Sequence, residues 1–139
     1  LKQNFSDKLD ISFLNSLITT DGKEVEFFEG GRGYTNSVVK RVIEHWETEK
    51  ISSTVRSSIS LNTIIEENFD RKIDWLHLDV EGLDSKLIRS VDYSKLPNLI
   101  IFEDYNLSDD EKNEIYEWLK IGLYSLHSES GICMATKFI

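Results

Sequence analysis

Ile73-Asp-Trp-Leu-His-Leu-Asp-Val-Glu-Gly82 decides the fold. Leu76, Leu78 and Val80 alternate with Trp75, His77 and Asp79, so each set points to its own side of an extended backbone. Glu81-Gly82 ends this strand, and Asp84 can cap a following helix that carries Leu87, Ile88 and Val91. Pro97 then precedes Leu99-Ile-Ile-Phe102, an uninterrupted apolar run that suits a strand buried on both faces of a parallel sheet. Ser108-Asp-Asp-Glu111 is a capping box with acids at the positive end of the helix dipole. That helix runs through Ile115, Trp118 and Leu119 and stops at Gly122. Residues 123–127 and 132–138 flank Ser128-Glu-Ser-Gly131 and read as a closing antiparallel hairpin. From Ile73 onward the order is strand, helix, strand, helix, strand, strand. This alternation predicts an α/β fold, mostly parallel, with an antiparallel hairpin at its C-terminal end.

Upstream, residues 11–19 are apolar-rich, Asp21-Gly22 favours a tight hairpin turn, and residues 23–29 alternate, so a strand, a turn and a second strand are expected. Gly30-Gly-Arg-Gly33 is a flexible break, and Arg32 and Tyr34 on it make either a lid or a mobile surface loop. Val38, Val39, Val42, Ile43 and Trp46 recur at helical spacing behind Asn36 or Ser37 as cap. Residues 54–60 lean towards strand, and Ser60 caps a short helix over 61–67. The 139 residues are read as one domain, with a hairpin and helix over 1–60 preceding the βαβ units and closing hairpin of 61–139.

The net charge of −9, from 16 basic and 25 acidic residues, argues against a nucleic-acid backbone or an anionic membrane as partner. No signal peptide or membrane span is visible, and the single Cys133 excludes an internal disulfide and a Cys-rich zinc site. A cytoplasmic setting is expected.

Several segments together carry a family likeness. Ile73-Asp-Trp-Leu-His-Leu-Asp-Val-Glu-Gly-Leu-Asp84 resembles the signature of the FkbM-type S-adenosylmethionine-dependent methyltransferases, an apolar strand ending in Asp-Val-Glu-Gly before a helix. Ser58-Ile-Ser-Leu-Asn-Thr-Ile-Ile65 is similar to the family's Ser/Thr-Leu-Asp-x-Leu segment, with Asn62 in place of the Asp. Leu99-Ile-Ile-Phe-Glu103 is similar to its apolar strand ending in Glu, and Asp21-Gly-Lys-Glu-Val-Glu-Phe27 and Thr35-Asn-Ser-Val38 resemble its middle region. The likeness implies a class I, Rossmann-like methyltransferase sheet, and O-methylation of a hydroxyl on a small molecule or sugar with S-adenosylmethionine as donor.

The cofactor half of that family has a strand, a Gly-rich turn and a second strand ending in an acid. Gly30-Gly-Arg-Gly33 is not that turn, because no suitable apolar strand leads into it. The sheet is therefore expected to be truncated, with its Asp-Val-Glu-Gly strand lacking the usual neighbour. Such an edge favours pairing, so a homodimer or a fragment of a longer enzyme is expected.

Asp79 and Glu81 end one parallel strand, and Glu103 and Asp104 end the next, where ligands of open α/β sheets collect. Asp79, Glu81 and His77 are the expected catalytic residues. The base takes a hydroxyl proton, and its pKa is raised by the neighbouring acids. Glu103, Asp104 and Asn36 are expected to face substrate, and Asp79, Glu103 and Asp104 offer oxygens to a divalent cation. The alternatives are structural: Asp79 and Asp84 as caps, Glu103 paired with a Lys or Arg, His77 satisfied beneath the crossover helix, and Asn36 capping. The competing function is a non-catalytic, methyltransferase-like assembly module. A phosphate-loop nucleotide domain is disfavoured by the absence of Gly-x-x-x-x-Gly-Lys.

Overall fold

In the computed structural model, residues 12–31, 36–46, 50–69 and 72–137 are described. Along the chain run β1 (Leu17–Thr19), β2 (Val25–Glu29), β3 (Asn36–Ser37), α1 (Lys40–Trp46), β4 (Ser52–Arg56), β5 (Ser58–Ser60) and α2 (Leu61–Asn68). They are followed by β6 (Trp75–Leu78), α3 (Asp84–Ser90), β7 (Leu99–Glu103), α4 (Asp109–Ile121), β8 (Tyr124–Glu129) and β9 (Ile132–Lys137). The chain is a mixed α/β protein with parallel and antiparallel pairing.

The principal sheet has the order β6-β7-β9-β8, with β6 parallel to β7 and the β8–β9 hairpin antiparallel. Register aligns Leu78 with Phe102 and Phe102 with Cys133, and one step along aligns Leu76 with Ile100 and Ile100 with Ala135. These rows share one face, and α2, α3 and α4 bury them beneath Leu61, Ile65, Leu87, Ile88, Ile115 and Leu119. The other face carries Trp75, His77, Ile101, Met134 and Ile132, of which Trp75 and Ile132 remain more than half exposed. Beyond its pairing with β7, β6 has no further ladder among the described residues.

Local signals hold where they rest on near neighbours. Ser60 Oγ accepts from Thr63 N at 3.0 Å, capping α2. Ser108 and Glu111 close the capping box of α4, which ends at Gly122. Ser130 and Gly131 turn the closing hairpin with positive φ.

Three expectations are corrected. The Asp21-Gly22 turn forms with Gly22 at φ 68°, yet it joins no hairpin: β1 pairs in parallel with β5, while β2 lies between β3 and β4. Gly22 N donates to Thr19 Oγ1 at 3.0 Å, and Thr19 Oγ1 meets Ser58 Oγ at 2.7 Å, which turns the segment towards β5. Asp84 does not cap α3. Leu83 holds the cap position with no side-chain bond, and Asp84 is the first helical residue, fully buried. In β7, only Ile100 and Phe102 are buried; Leu99, Ile101 and Glu103 are half-buried, because the face they share has less cover. The proposed lid residues Arg32 and Tyr34 lie outside the described residues.

Candidate functional site

The carboxyl ends of β6 and β7 lie side by side because the strands are parallel and in register from Trp75–Leu99 to Leu78–Phe102. Past β6 the chain takes two left-handed residues in succession, Glu81 at φ 51° and Gly82 at φ 89°. Positive φ strains a side chain such as that of Glu81 by about 1–3 kcal/mol, so surrounding contacts must hold it. One such contact is Ser37 Oγ, which donates to Glu81 O at 3.0 Å while accepting from Val39 N at 2.8 Å. Gly82 is needed twice over: besides its φ, a Cβ there would lie 2.9 Å from Val42 Cγ2 and 3.4 Å from Asn106 O.

Asn106 is the hub. Its Nδ2 donates to Glu81 Oε2 at 3.0 Å and to Glu103 Oε2 at 2.9 Å, bridging acids from the two strand ends. Arg41 Nη1 in turn donates to Asn106 O at 3.0 Å, and Arg41 is ion-paired with Glu111 of α4. A loop of β7, the turn after β6 and helix α1 are thereby tied together. Burial, then the Glu103 charge and then the Asp79 charge hold the Glu81 carboxyl above the usual range. Asp84 is pushed up to about 6, chiefly by burial, with Glu103 adding to it. The backbone N–H groups of Asp84, Gly82 and Glu103 oppose the shift, but neither Asp84 oxygen has a partner at hydrogen-bond geometry.

Asn36, Asp79 and Glu81 line one cavity of about 220 Å³ with Leu17, Phe27 and Val38, and the Asn36 Oδ1 atom is buried there without a partner. Glu103 joins this group through Asn106. A separate pocket of about 300 Å³ is lined by Arg41, Val42, His45, Tyr105, Asn106 and Leu107.

Two expected residues stand elsewhere. Asp104 is turned through the sheet to the core side, where it is 2% exposed. There Asp104 Oδ2 accepts from Tyr116 Oη and from Ser128 Oγ. Adjacent strand residues point to opposite faces, so Glu103 and Asp104 cannot converge, and the expected oxygen set of Asp79, Glu103 and Asp104 does not form. Among the described residues, no group of three or more His, Cys, Asp and Glu side chains is placed to hold a metal ion. His77 lies lower on β6, exposed, with its ring stacked 6.1 Å from that of Trp75, and lines a groove of about 480 Å³ with Ile64, Ile65 and Phe69 of the α2 region.

Sequence reasoning missed Asn106, whose only signal was its place in Glu103-Asp-Tyr-Asn106 just past a strand end. It also missed Arg41, which reads as an ordinary helix-surface residue. Ser37 reads from the sequence as a helix cap, and its bond to Glu81 O depends on contact between residues 44 apart in the chain.

No helix of the described residues is long and apolar enough to cross a membrane. No curated protein and no solved structure matches the chain. The family model of the methyltransferase FkbM domain matches residues 3–126 of the 139, so the chain belongs to the FkbM methyltransferase-domain family.

Proposed function

We propose that this chain supplies the substrate side of an O-methyltransferase acting on a hydroxyl of a small molecule or sugar, with Glu81 as the general base. The observation that carries the reading is the bridge from Asn106 to both Glu81 and Glu103 at the ends of two parallel strands, the place where open α/β sheets collect ligands. Glu81 has features that suit a base: a carboxyl raised above its usual range by burial and by the Glu103 and Asp79 charges, held in place by one amide, with its second oxygen free of that bond. Asn106 positions both acids, and Asn36 and Asp79 face the same cavity.

The methyl donor of this family is generally S-adenosylmethionine. The described residues do not compose a pocket for it. Gly30 and Gly31 follow β2 of an antiparallel sheet, and no parallel strand leading into a Gly-rich turn stands beside β6. The donor site is therefore not assigned among the described residues, and no step is routed through it. Among the described residues one edge of β6 has no partner strand, and the face bearing Trp75 and Ile132 is thinly covered.

The test is a thermal-shift titration with S-adenosylmethionine and S-adenosylhomocysteine, followed by transfer of a labelled methyl group to candidate alcohols. Stabilisation and recovery of the labelled methyl in a methyl ether of the alcohol are expected. No shift at millimolar ligand and no transfer would remove catalysis by this chain alone.

The same edge favours a second reading, a non-catalytic assembly module that dimerises through β6. Phe69 and Trp75, both about half exposed, flank that groove. Light scattering decides it: a clean monomer of 16.1 kDa excludes the dimer.

A further inference from the structure

Trp46 at the end of α1 and Tyr105 beyond β7 are large aromatic residues left 43% and 55% exposed. Their rings stack near-parallel, with centroids 6.0 Å apart and planes inclined by 27°. His45 meets Trp46 edge-on at 4.9 Å, fixing the indole from the side. Tyr105 lies close against the Gly131 backbone: Tyr105 N donates to Gly131 O at 3.2 Å, and a Cβ on Gly131 would lie 2.8 Å from Tyr105 Cβ. Two chain segments of distant sequence thus present a firm aromatic surface to solvent. Core packing does not account for it, because each ring keeps about half its area in water.

The surface adjoins the crevice. Tyr105, His45 and Arg41 line the 300 Å³ pocket together with Asn106, the amide that bridges Glu81 and Glu103. A ligand lying on Tyr105 therefore borders Asn106, whose amide carries the Glu81 and Glu103 carboxylates, and Arg41, which is itself held by Asn106 O and Glu111. This mixture selects among ligands that stack. A cation would suit the acids but meet Arg41, and a flat hydrocarbon would leave the polar rim unpaired. A neutral cyclic polyol satisfies both. The polarised C–H bonds on one face of a pyranose fit the negative face of an aromatic ring, and its hydroxyls both donate and accept.

We propose that Trp46 and Tyr105 form a stacking platform for a pyranose ring, whose hydroxyls extend over Asn106 towards Glu81 and Glu103. This rests on the reading of the crevice as a hydroxyl-methylating site and narrows its substrate to a sugar.

Saturation-transfer-difference NMR on the intact protein tests it directly, with methyl α-glucoside, methyl α-galactoside and methyl α-fucoside as probes, and sorbitol and choline as comparators. The expected result is transfer to the ring C–H protons of at least one pyranoside and little to sorbitol, which has no ring face. Trp46→Leu and Tyr105→Leu should each weaken that binding about tenfold, while Trp75→Leu, at the N-terminal end of β6 and outside that pocket, leaves it unchanged. Binding of choline alone, absence of transfer to every pyranoside, or transfer undiminished in both platform variants would overturn the proposal. Pyranoside binding without any methyl transfer keeps the platform and removes the catalytic reading. Methylation of acyclic alcohols without pyranoside binding does the reverse.

Discussion

Glu103 and Asp104 are neighbours at the end of one strand, and they meet opposite surroundings. Glu103 faces the crevice, where Glu81 and Asp79 are the nearby charges and a single amide reaches across. Asp104 faces the core, where the Tyr116 and Ser128 hydroxyls both donate to one of its oxygens. Cys133 and Tyr116 beside it are each pushed up to about 12, mainly by burial, so both keep their protons near neutral pH. The contrast separates two uses of a carboxylate. Surrounded by donors, it fastens α4 to the closing hairpin; set beside other acids, it is bridged to Glu81 by one amide at the ends of two parallel strands.

The sharpest way to break this contrast is Glu81→Gln. The amide keeps the shape and still accepts from Asn106, but it cannot take a proton. Methyl transfer by the intact protein should fall about 10²–10⁴-fold, with the unfolding midpoint unchanged. A loss of only a few-fold would move the base elsewhere.

Next in size is the pH dependence set by Asp84. Its folded-state pKa of about 6 lies above the ordinary 3.8, so the folded protein holds that proton more tightly than the unfolded chain. The penalty is absent below the unfolded value, grows as pH rises between the two, and is complete above about 6. A rise from 3.8 to about 6 corresponds to about 3 kcal/mol. The difference in urea stability between wild type and Asp84→Asn should change by about that amount between pH 4 and pH 7, in favour of the variant at the higher pH. An unchanged difference would mean that Asp84 is better solvated than its burial implies.

On the core side, Asp104→Ala leaves the Tyr116 and Ser128 hydroxyls without their acceptor, and stability should fall by about 2 kcal/mol. Pyranoside binding at the crevice should survive. A loss of binding with stability intact would erase the distinction between the two regions.

The smallest effect is expected from Ser37→Ala, which removes the donor to Glu81 O and costs about 1 kcal/mol. Because that bond holds a left-handed Glu81, methyl transfer should weaken more than the stability change alone would suggest.

The elements from β6 onward were legible because their signals are local. Alternation in 75–80, the capping box at Ser108, and the Gly122 stop each involve residues a few positions apart. The family likeness rested on segments of the same kind, and its match over residues 3–126 bears it out. The N-terminal region was misread because Asp21-Gly22 specifies a turn but not a partner: pairing of β1 with β5 depends on Thr19 meeting Ser58, 39 residues away.

For the site, the sequence alone placed carboxylates at the ends of two successive strands expected to be parallel, since the alternation and composition of each are local signals; that the two strands are neighbours came from the structure. Which of those acids share a crevice was settled only by tertiary structure. Facing alternates with each residue, so Asp104 left the group that Glu103 joined. Asn106, Arg41 and the Trp46–Tyr105 pair entered because folding brings α1 against the end of β7, a contact for which no local pattern of residues carries a signal.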